Sequence, residues 1–317
     1  MSSDDVVKHC SSPPPPPPPL SRMQHTNKTQ TRSQLSADSS ELLCQIQANV
    51  VETNPLQEIY YAIKKLPQWR AEEEKEEKSV WLSVNSYVSP VIQDGPTCGL
   101  VVIKLASRLL CGEESDVEYL LNEARRKKFT HQGEMFSAKN MLELATAALR
   151  CTGELVSHGL QTHRKKILTS IQRLKPVLVP YDADFNHEPC CRGGHRAHWS
   201  LLTGYLIRLP LSHMDEKQLE KLGFSPDPSC SNLFLASLPL EEDPLKVISL
   251  EAGDVYVFTR QGKSKHLGLW SFSSLVESNN NLKEFSPSRD DDEYLLPAGG
   301  VEAGLCGKAI ILDTAEV

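Results

Sequence analysis

Apolar residues recur first at helical and then at strand spacing, and this change of period divides the chain. A three- and four-residue spacing predicts helices over 98–111, 116–128, 137–150 and 162–174, after an earlier helical stretch over 54–66. Short apolar runs bounded by turn residues then predict strands over 153–157, 175–181, 198–209, 254–260, 266–272 and 308–313. Helices followed by an antiparallel sheet are typical of an α+β domain.

The N-terminal stretch has a different composition. Residues 1–40 are rich in Ser, Pro, Thr and Gln, which predicts a disordered tail because too little apolar surface is available to offset the entropy of ordering. The seven prolines Pro13–Pro19 favour polyproline II, which serves as a spacer or as a docking site for a polyproline-binding partner. We assign 41–79 to a helical, charged linker and 80–317 to the folded domain.

Composition narrows the classes of function. The 317 residues carry a formal net charge of −7 with only short basic runs, which argues against a nucleic-acid or anionic-membrane binder. Apolar runs long enough for a membrane span and the pattern of a signal peptide are both missing, so we expect a cytoplasmic protein. Nine irregularly spaced cysteines predict reduced thiols and no disulfide framework.

The stretch "QDGPTCGL" at 93–100 carries the first candidate chemistry. Pro96 and Thr97 form a turn and N-cap that place Cys98 in the first turn of a helix, where the positive end of the dipole stabilises a thiolate. The side-chain amide of Gln93 and the Cys98 N–H are candidate donors of an oxyanion hole. A structural cysteine in the core is the alternative interpretation.

A thiol nucleophile needs a general base, and His198 begins the long strand in "AHWSLLTGY". A nucleophile at a helix N-terminus facing a strand-borne histidine is characteristic of papain-like cysteine proteases. The competing hypothesis is structural zinc, because "HEPCCRGGHRAH" brings five potential ligands together: His187, Cys190, Cys191, His195 and His198. We predict no metal and no cofactor.

The residue that orients His198 is harder to find. Papain-like enzymes usually take it from the strand after the histidine, which makes Asp254 at the head of "DVYVFTR" our candidate. Asp182 and Asp184 in "YDADFN" are candidates for lining the substrate groove or for capping a turn.

The chain resembles the actin maturation protease family, a branch of the papain-like enzymes related to bacteriocin-processing cysteine peptidases. The resemblance extends over about residues 85 to 313 and is carried by the blocks "QDGPTCGL", "GEMFS", "LVPYDADFNHEPC", "GHRAHWS", "QGKS", "FSPSR" and "GGVEAGLCGKAIIL". It implies a papain-like fold, with Cys98 as nucleophile, His198 as base and Gln93 as oxyanion donor.

The resemblance also implies a substrate and a partner. Members of the family remove the acetylated N-terminal Met or Cys of immature actin, and the polyproline tract would recruit profilin with its bound actin. Arg196 is a candidate for binding the acidic end of the substrate, as are the cations Arg192, Lys263 and Lys265. The remaining alternatives are a catalytically inactive adaptor that carries the polyproline tract and a zinc-stabilised binding module.

Overall fold

One sheet of nine strands organises the part of the chain that the computed structural model describes, which is residues 54–73, 79–110, 115–210, 216–240, 242–251, 253–289 and 293–315. The strands are β1 (Val80–Asn85), β2 (Thr152–Val156), β3 (Val177–Asp182), β4 (Ala197–Leu209), β5 (Phe224–Asp227), β6 (Cys230–Ala236), β7 (Asp254–Arg260), β8 (Gly268–Ser271) and β9 (Ala309–Asp313).

The long strand β4 pairs with three neighbours. Its first half pairs with β3, its second half pairs with β1, and β7 runs along its other edge. The strand order is β2-β9-β3-β4-β1-β6-β5, with β8 beside β7, and all pairs are antiparallel except β1 with β6. Gly204 allows β1 to approach closely, since a Cβ there would lie 2.2 Å from the Val84 carbonyl oxygen.

Nine α-helices surround the sheet within the described residues. They are α1 (Pro55–Ile63), α2 (Pro67–Glu73), α3 (Cys98–Leu110), α4 (Val117–Arg126), α5 (Ala138–Leu149), α6 (Arg164–Gln172), α7 (Glu216–Lys221), α8 (Phe272–Asn280) and α9 (Gly300–Leu305). A short 3₁₀ turn spans Pro244–Lys246.

The two faces of the sheet bury separate cores, because successive strand residues point to opposite sides. On β3, Leu178 joins the core that contains α3, whereas Val177 and Val179 join the core that contains α6. Trp199 and Leu201 of β4 belong to the α3 core. Cys98, at the first position of α3, is therefore held against the beginning of β4.

The α+β architecture predicted from the sequence is confirmed. The predicted helices and strands appear with ends shifted by one to three residues, and Ser137 caps α5 by accepting a hydrogen bond from the Asn140 N–H at 3.2 Å. The pattern missed β1, β5, β6 and three short helices, which are α7, α8 and α9.

The linker assigned to 41–79 is wrong where the structure describes it. Helices α1 and α2 belong to the same compact unit as the sheet and bury Ile59, Ile63 and Trp69 against β1 and β7. Glu58 on α1 forms an ion pair with Arg260 at the end of β7, where the Arg260 side chain is only 1% exposed.

The proline-rich tail assigned to 1–40 lies outside the described residues. In the described ranges, no helix combines the length and the apolar character that a membrane crossing requires.

Candidate active site

Cys98 is the first residue of α3 and is buried, with 8% of its surface exposed. The backbone N–H groups of Gly99 and Trp199 contact its sulfur, and each contact lowers the pKa of the thiol. The first contact comes from the helix's own first turn, where N–H groups have no intrahelical partner. The second comes from β4, one residue after His198, so the structure brings the two predicted catalytic residues to one place.

The turn before α3 differs from the prediction in one detail. The Thr97 hydroxyl donates a hydrogen bond to the Asp94 carbonyl at 2.6 Å, so its side chain closes the turn instead of capping the helix. The loop that precedes α5 is fixed to β4 by Trp199, whose indole N–H donates a hydrogen bond to the Met135 carbonyl at 2.8 Å. Residues in the sequence block "GEMFS" thus support the strand that carries His198.

His198 lies half-buried on β4, directly opposite Tyr181 of β3. Its ring centroid is 6.2 Å from that of Tyr181 and 5.8 Å from that of His187. Within the described ranges, the ring makes no hydrogen bond to another residue. The predicted base is therefore in place, and its orienting partner is not evident from hydrogen bonding.

Burial determines the charge state of the pair. It raises the pKa of the Cys98 thiol, although the two N–H contacts and the positive charges of Arg289 and Lys263 oppose it. Burial, with the positive field of His187, Lys263, Arg196 and Arg289, lowers the pKa of His198 to about 3. The expected fall in the Cys98 pKa is wrong for the free protein, because desolvation outweighs the helix terminus. Both shifts favour a neutral thiol beside a neutral imidazole in the free protein.

Gln93 is buried next to the loop that follows β7. Its backbone N–H donates to the Gly262 carbonyl at 2.8 Å, and its side-chain Nε2 donates to the Gly95 carbonyl at 2.7 Å. An amide nitrogen carries two hydrogens, so one remains for a substrate oxygen. The role of Gln93 as an oxyanion donor stays a prediction.

Asp254 is the wrong candidate for the orienting residue. It lies opposite Arg208 at the far end of β4, and its carboxylate forms an ion pair with that side chain at 3.0 Å. His198 is near the other end of the same 13-residue strand, about 30 Å away at the usual rise per strand residue. Order along the chain suggested Asp254, but the antiparallel register of β7 places the opposite end of that strand near the site.

The two other carboxylates have structural roles here. Asp182 is fully buried, so it cannot line a groove as predicted; its Oδ2 accepts hydrogen bonds from the backbone N–H groups of Arg192 and Gly194. Asp184 caps a turn by accepting from the Asn186 and Glu188 N–H groups at 2.8 and 2.9 Å, which was the alternative left open for it.

Positive side chains surround the Cys98–His198 pair. Arg196, Lys263 and Arg289 all lower the pKa of His198 through their charge, and the Arg196 guanidinium also lies 4.6 Å from the centroid of the exposed Phe185 ring. Arg196 therefore lies near the pair, and its role in binding the substrate stays a prediction. Sequence reasoning missed Arg289, although it ends the block "FSPSR" that carried the resemblance.

The structure gives the zinc hypothesis no support. In the part of the chain described, which includes all of 187–198, no three His, Cys, Asp or Glu side chains converge as a metal site would require. Cys190 and Cys191 are free thiols, and His195 is paired with Glu284 at 3.0 Å.

Relatives of known name match most of the chain. A model of the family described as "Actin maturation protease-like, C-terminal domain" matches residues 88–206. A Xenopus tropicalis protein named actin maturation protease is 39% identical over 241 residues, which cover 75% of this chain and 75% of that protein. The chain belongs to the actin maturation protease family. The family predicted from the sequence blocks is confirmed.

Two further relatives carry the same name and match a similar share of the chain. The Danio rerio actin maturation protease is 40% identical over 239 residues, covering 74% of this chain and 75% of that protein. The human member is 39% identical over 245 residues, covering 73% of this chain and 66% of its own length. A solved structure of a "putative C39-like peptidase" from Bacillus anthracis aligns with a TM-score of 0.38 at 11% identity, covering 76% of this chain and 100% of its own.

Gly262 provides a test of the placement of Gln93. A Cβ added at Gly262 would lie 2.8 Å from Gln93 Oε1 and 2.9 Å from Gln93 Cβ, so Gly262→Ala displaces the amide. We expect kcat for peptide cleavage to fall about 100-fold with little change in KM, as for the loss of an oxyanion donor. Ser264→Ala, in the same loop, is the control and should retain activity. An unchanged kcat in Gly262→Ala would show that Gln93 does not assist the reaction.

Proposed function

We propose that the protein is a cysteine peptidase that removes the acetylated N-terminal residue, Met or Cys, of immature actin. The names of its family members support a protease that matures actin. The observation that carries the proposal is the position of Cys98, whose sulfur contacts the backbone N–H of the residue next to His198. Action on actin is also the reason to propose a cytoplasmic location.

The neutral pair indicates how the reaction begins. His198 takes the proton of the Cys98 thiol as the sulfur attacks the carbonyl carbon of the first residue, so charge develops only as the bond forms. The Cys98 N–H and the Gln93 amide would stabilise the resulting oxyanion. His198 then returns the proton to the departing amine of the shortened actin, and water hydrolyses the thioester to release the acetylated residue.

Charge supports an acidic substrate. The chain as a whole has a formal net charge of −7, yet the groups with the largest Coulomb effects on His198, beyond burial, are His187, Lys263, Arg196 and Arg289. Positive charge concentrated at one place on an acidic protein attracts an anionic segment to that place. The acidic end of actin fits this field, and an acetylated end has no amine that would need a carboxylate partner.

A peptide beginning acetyl-Met-Asp-Asp provides the first test. The native protein should release acetyl-methionine, and Cys98→Ala should lose at least 1,000-fold in kcat/KM while keeping its circular dichroism spectrum, because the nucleophile is gone. Cys306→Ala, which removes a different free thiol, should retain activity.

A matched acetyl-Met-Lys-Lys peptide tests the charge argument in the same assay and should be cleaved more slowly, with a difference that shrinks as salt is added. Activity in Cys98→Ala equal to that of the native protein would exclude the mechanism. Complete inactivity of the native protein would favour the adaptor alternative.

The polyproline tract suggests that the substrate is delivered by a partner. We propose that Pro13–Pro19 binds profilin and holds profilin-bound actin near the cleft. Tethering of this kind raises the local concentration of actin to roughly millimolar. This proposal rests on the sequence alone, since the tract lies outside the described residues.

Deleting residues 11–20 separates tethering from catalysis. We expect about 10-fold slower cleavage of profilin-bound actin at low enzyme concentration and unchanged cleavage of the short peptide. Replacing the same ten residues by a Gly-Ser segment of equal length is the control for tail length and should behave like the deletion. An equal loss on both substrates would contradict tethering.

A further inference from the structure

His187 is a half-buried residue next to the catalytic base, and the reaction described above does not use it. Its ring lies 5.8 Å from the His198 ring, measured between centroids, and the two planes meet at 74°. This is the edge-to-face arrangement that aromatic rings favour. Its Nδ1 is buried and has no hydrogen-bond partner within the described residues. A buried nitrogen without a partner is costly, which makes its position informative.

The backbone holds His187 in a conformation that few residues adopt. Its φ is 65°, in the left-handed region that is uncommon for a residue other than glycine. The Tyr181 hydroxyl donates to the His187 carbonyl at 2.9 Å, and the His187 N–H donates to the Asp184 carbonyl at 3.2 Å. The Asp184 side chain closes the same turn. Strain held in place by several hydrogen bonds beside an active site is a recognised sign of function.

His198 needs a partner that can accept a hydrogen bond. When it takes the proton of Cys98 it becomes an imidazolium, and cysteine and serine hydrolases orient this ring through its second nitrogen. Apart from His187, the charged groups that act on His198 are Lys263, Arg196 and Arg289, which are donors only. The Tyr181 ring centroid lies 6.2 Å from that of His198, and the Tyr181 hydroxyl is held at the His187 carbonyl, so Tyr181 meets His198 through its ring.

We propose that His187 is the positioning residue of the site. Its ring fixes the orientation of His198 by edge-to-face contact, and a ring nitrogen of neutral His187 accepts a hydrogen bond from the imidazolium that forms during attack. Catalytic hydrogen bonds that are long in a free enzyme commonly shorten in the reacting complex. The proton itself moves only from Cys98 to His198 and then to the leaving amine. The inference rests on the proposed function for the roles of Cys98 and His198.

Three substitutions separate the contributions of His187. His187→Phe keeps a ring of similar shape without a nitrogen, His187→Gln offers an acceptor without a ring, and His187→Ala removes both. We expect kcat on the acetyl-Met-Asp-Asp peptide to fall about 10- to 100-fold in the Phe and Ala variants, with KM within about twofold and partial recovery in the Gln variant. His195→Ala is the matched control, since His195 lies in the same segment and pairs with Glu284.

The pH profile distinguishes this role from simple support of the turn. His187, Lys263, Arg196 and Arg289 all lower the pKa of His198, and Asp184 is the acid that acts on His187. His187 is neutral above its own lowered pKa and charged below it, so in the acid range the Phe variant lacks a positive charge beside His198 and the pKa of His198 rises. Because His198 must be neutral to accept a proton, the acid limb of kcat/KM should move to higher pH.

Alkylation of Cys98 by iodoacetamide is a readout that needs no substrate, so it separates failure of this inference from failure of the proposed function. The rate near neutral pH should fall about tenfold in His187→Phe and not in His195→Ala. The proposal is overturned if His187→Phe, with a native circular dichroism spectrum, keeps kcat, the acid limb and the alkylation rate within about twofold of native values. Equal losses in the Phe, Gln and Ala variants without a shift of the acid limb would also overturn it, by showing a structural role only.

Discussion

The packing of α3 against β4 is the contact on which the site depends. Leu100, Ile103 and Leu105 of the helix share a fully buried core with Leu201 of the strand, and Trp199 is almost as deeply buried. Burying side chains of this size stabilises the folded state by about 2 kcal/mol each. The helix therefore cannot shift on the sheet without losing the stabilisation that several of these side chains provide. The first residue of α3 and the first residues of β4 are therefore fixed against each other, and these carry Cys98 and His198.

The same packing explains the electrostatics. Excluding water from the pair raises the pKa of the thiol and lowers that of the imidazole, which favours the uncharged form of both groups. Positive side chains alone would favour the thiolate, and they do oppose the effect of burial on Cys98. Desolvation is the larger effect because the sulfur is enclosed by the helix and the strand. Charge separation is thereby deferred to the moment of attack, when the oxyanion donors can stabilise it.

The sequence was sufficient where the signals are local. "QDGPTCGL" predicted a helix beginning at Cys98 because a proline turn, a glycine and an apolar run are adjacent, and the run after His198 predicted β4 for the same reason. Asp254 failed because the register between two antiparallel strands decides which end of β7 meets His198, and no local pattern encodes that register. Arg289 was missed as a site residue because only the folding of a distant loop brings its charge to the pair, and His187 was considered only as a zinc ligand.

We expect the free site to hold a neutral thiol and a neutral imidazole. The direct measurement is the ultraviolet absorbance of the Cys98 thiolate as a function of pH, taken as the difference between the native protein and Cys98→Ala. We expect no thiolate signal from this residue between about pH 5 and pH 8, with ionisation only at higher pH. A thiolate signal already complete at about pH 5, as in a preformed thiolate–imidazolium pair, would contradict the account.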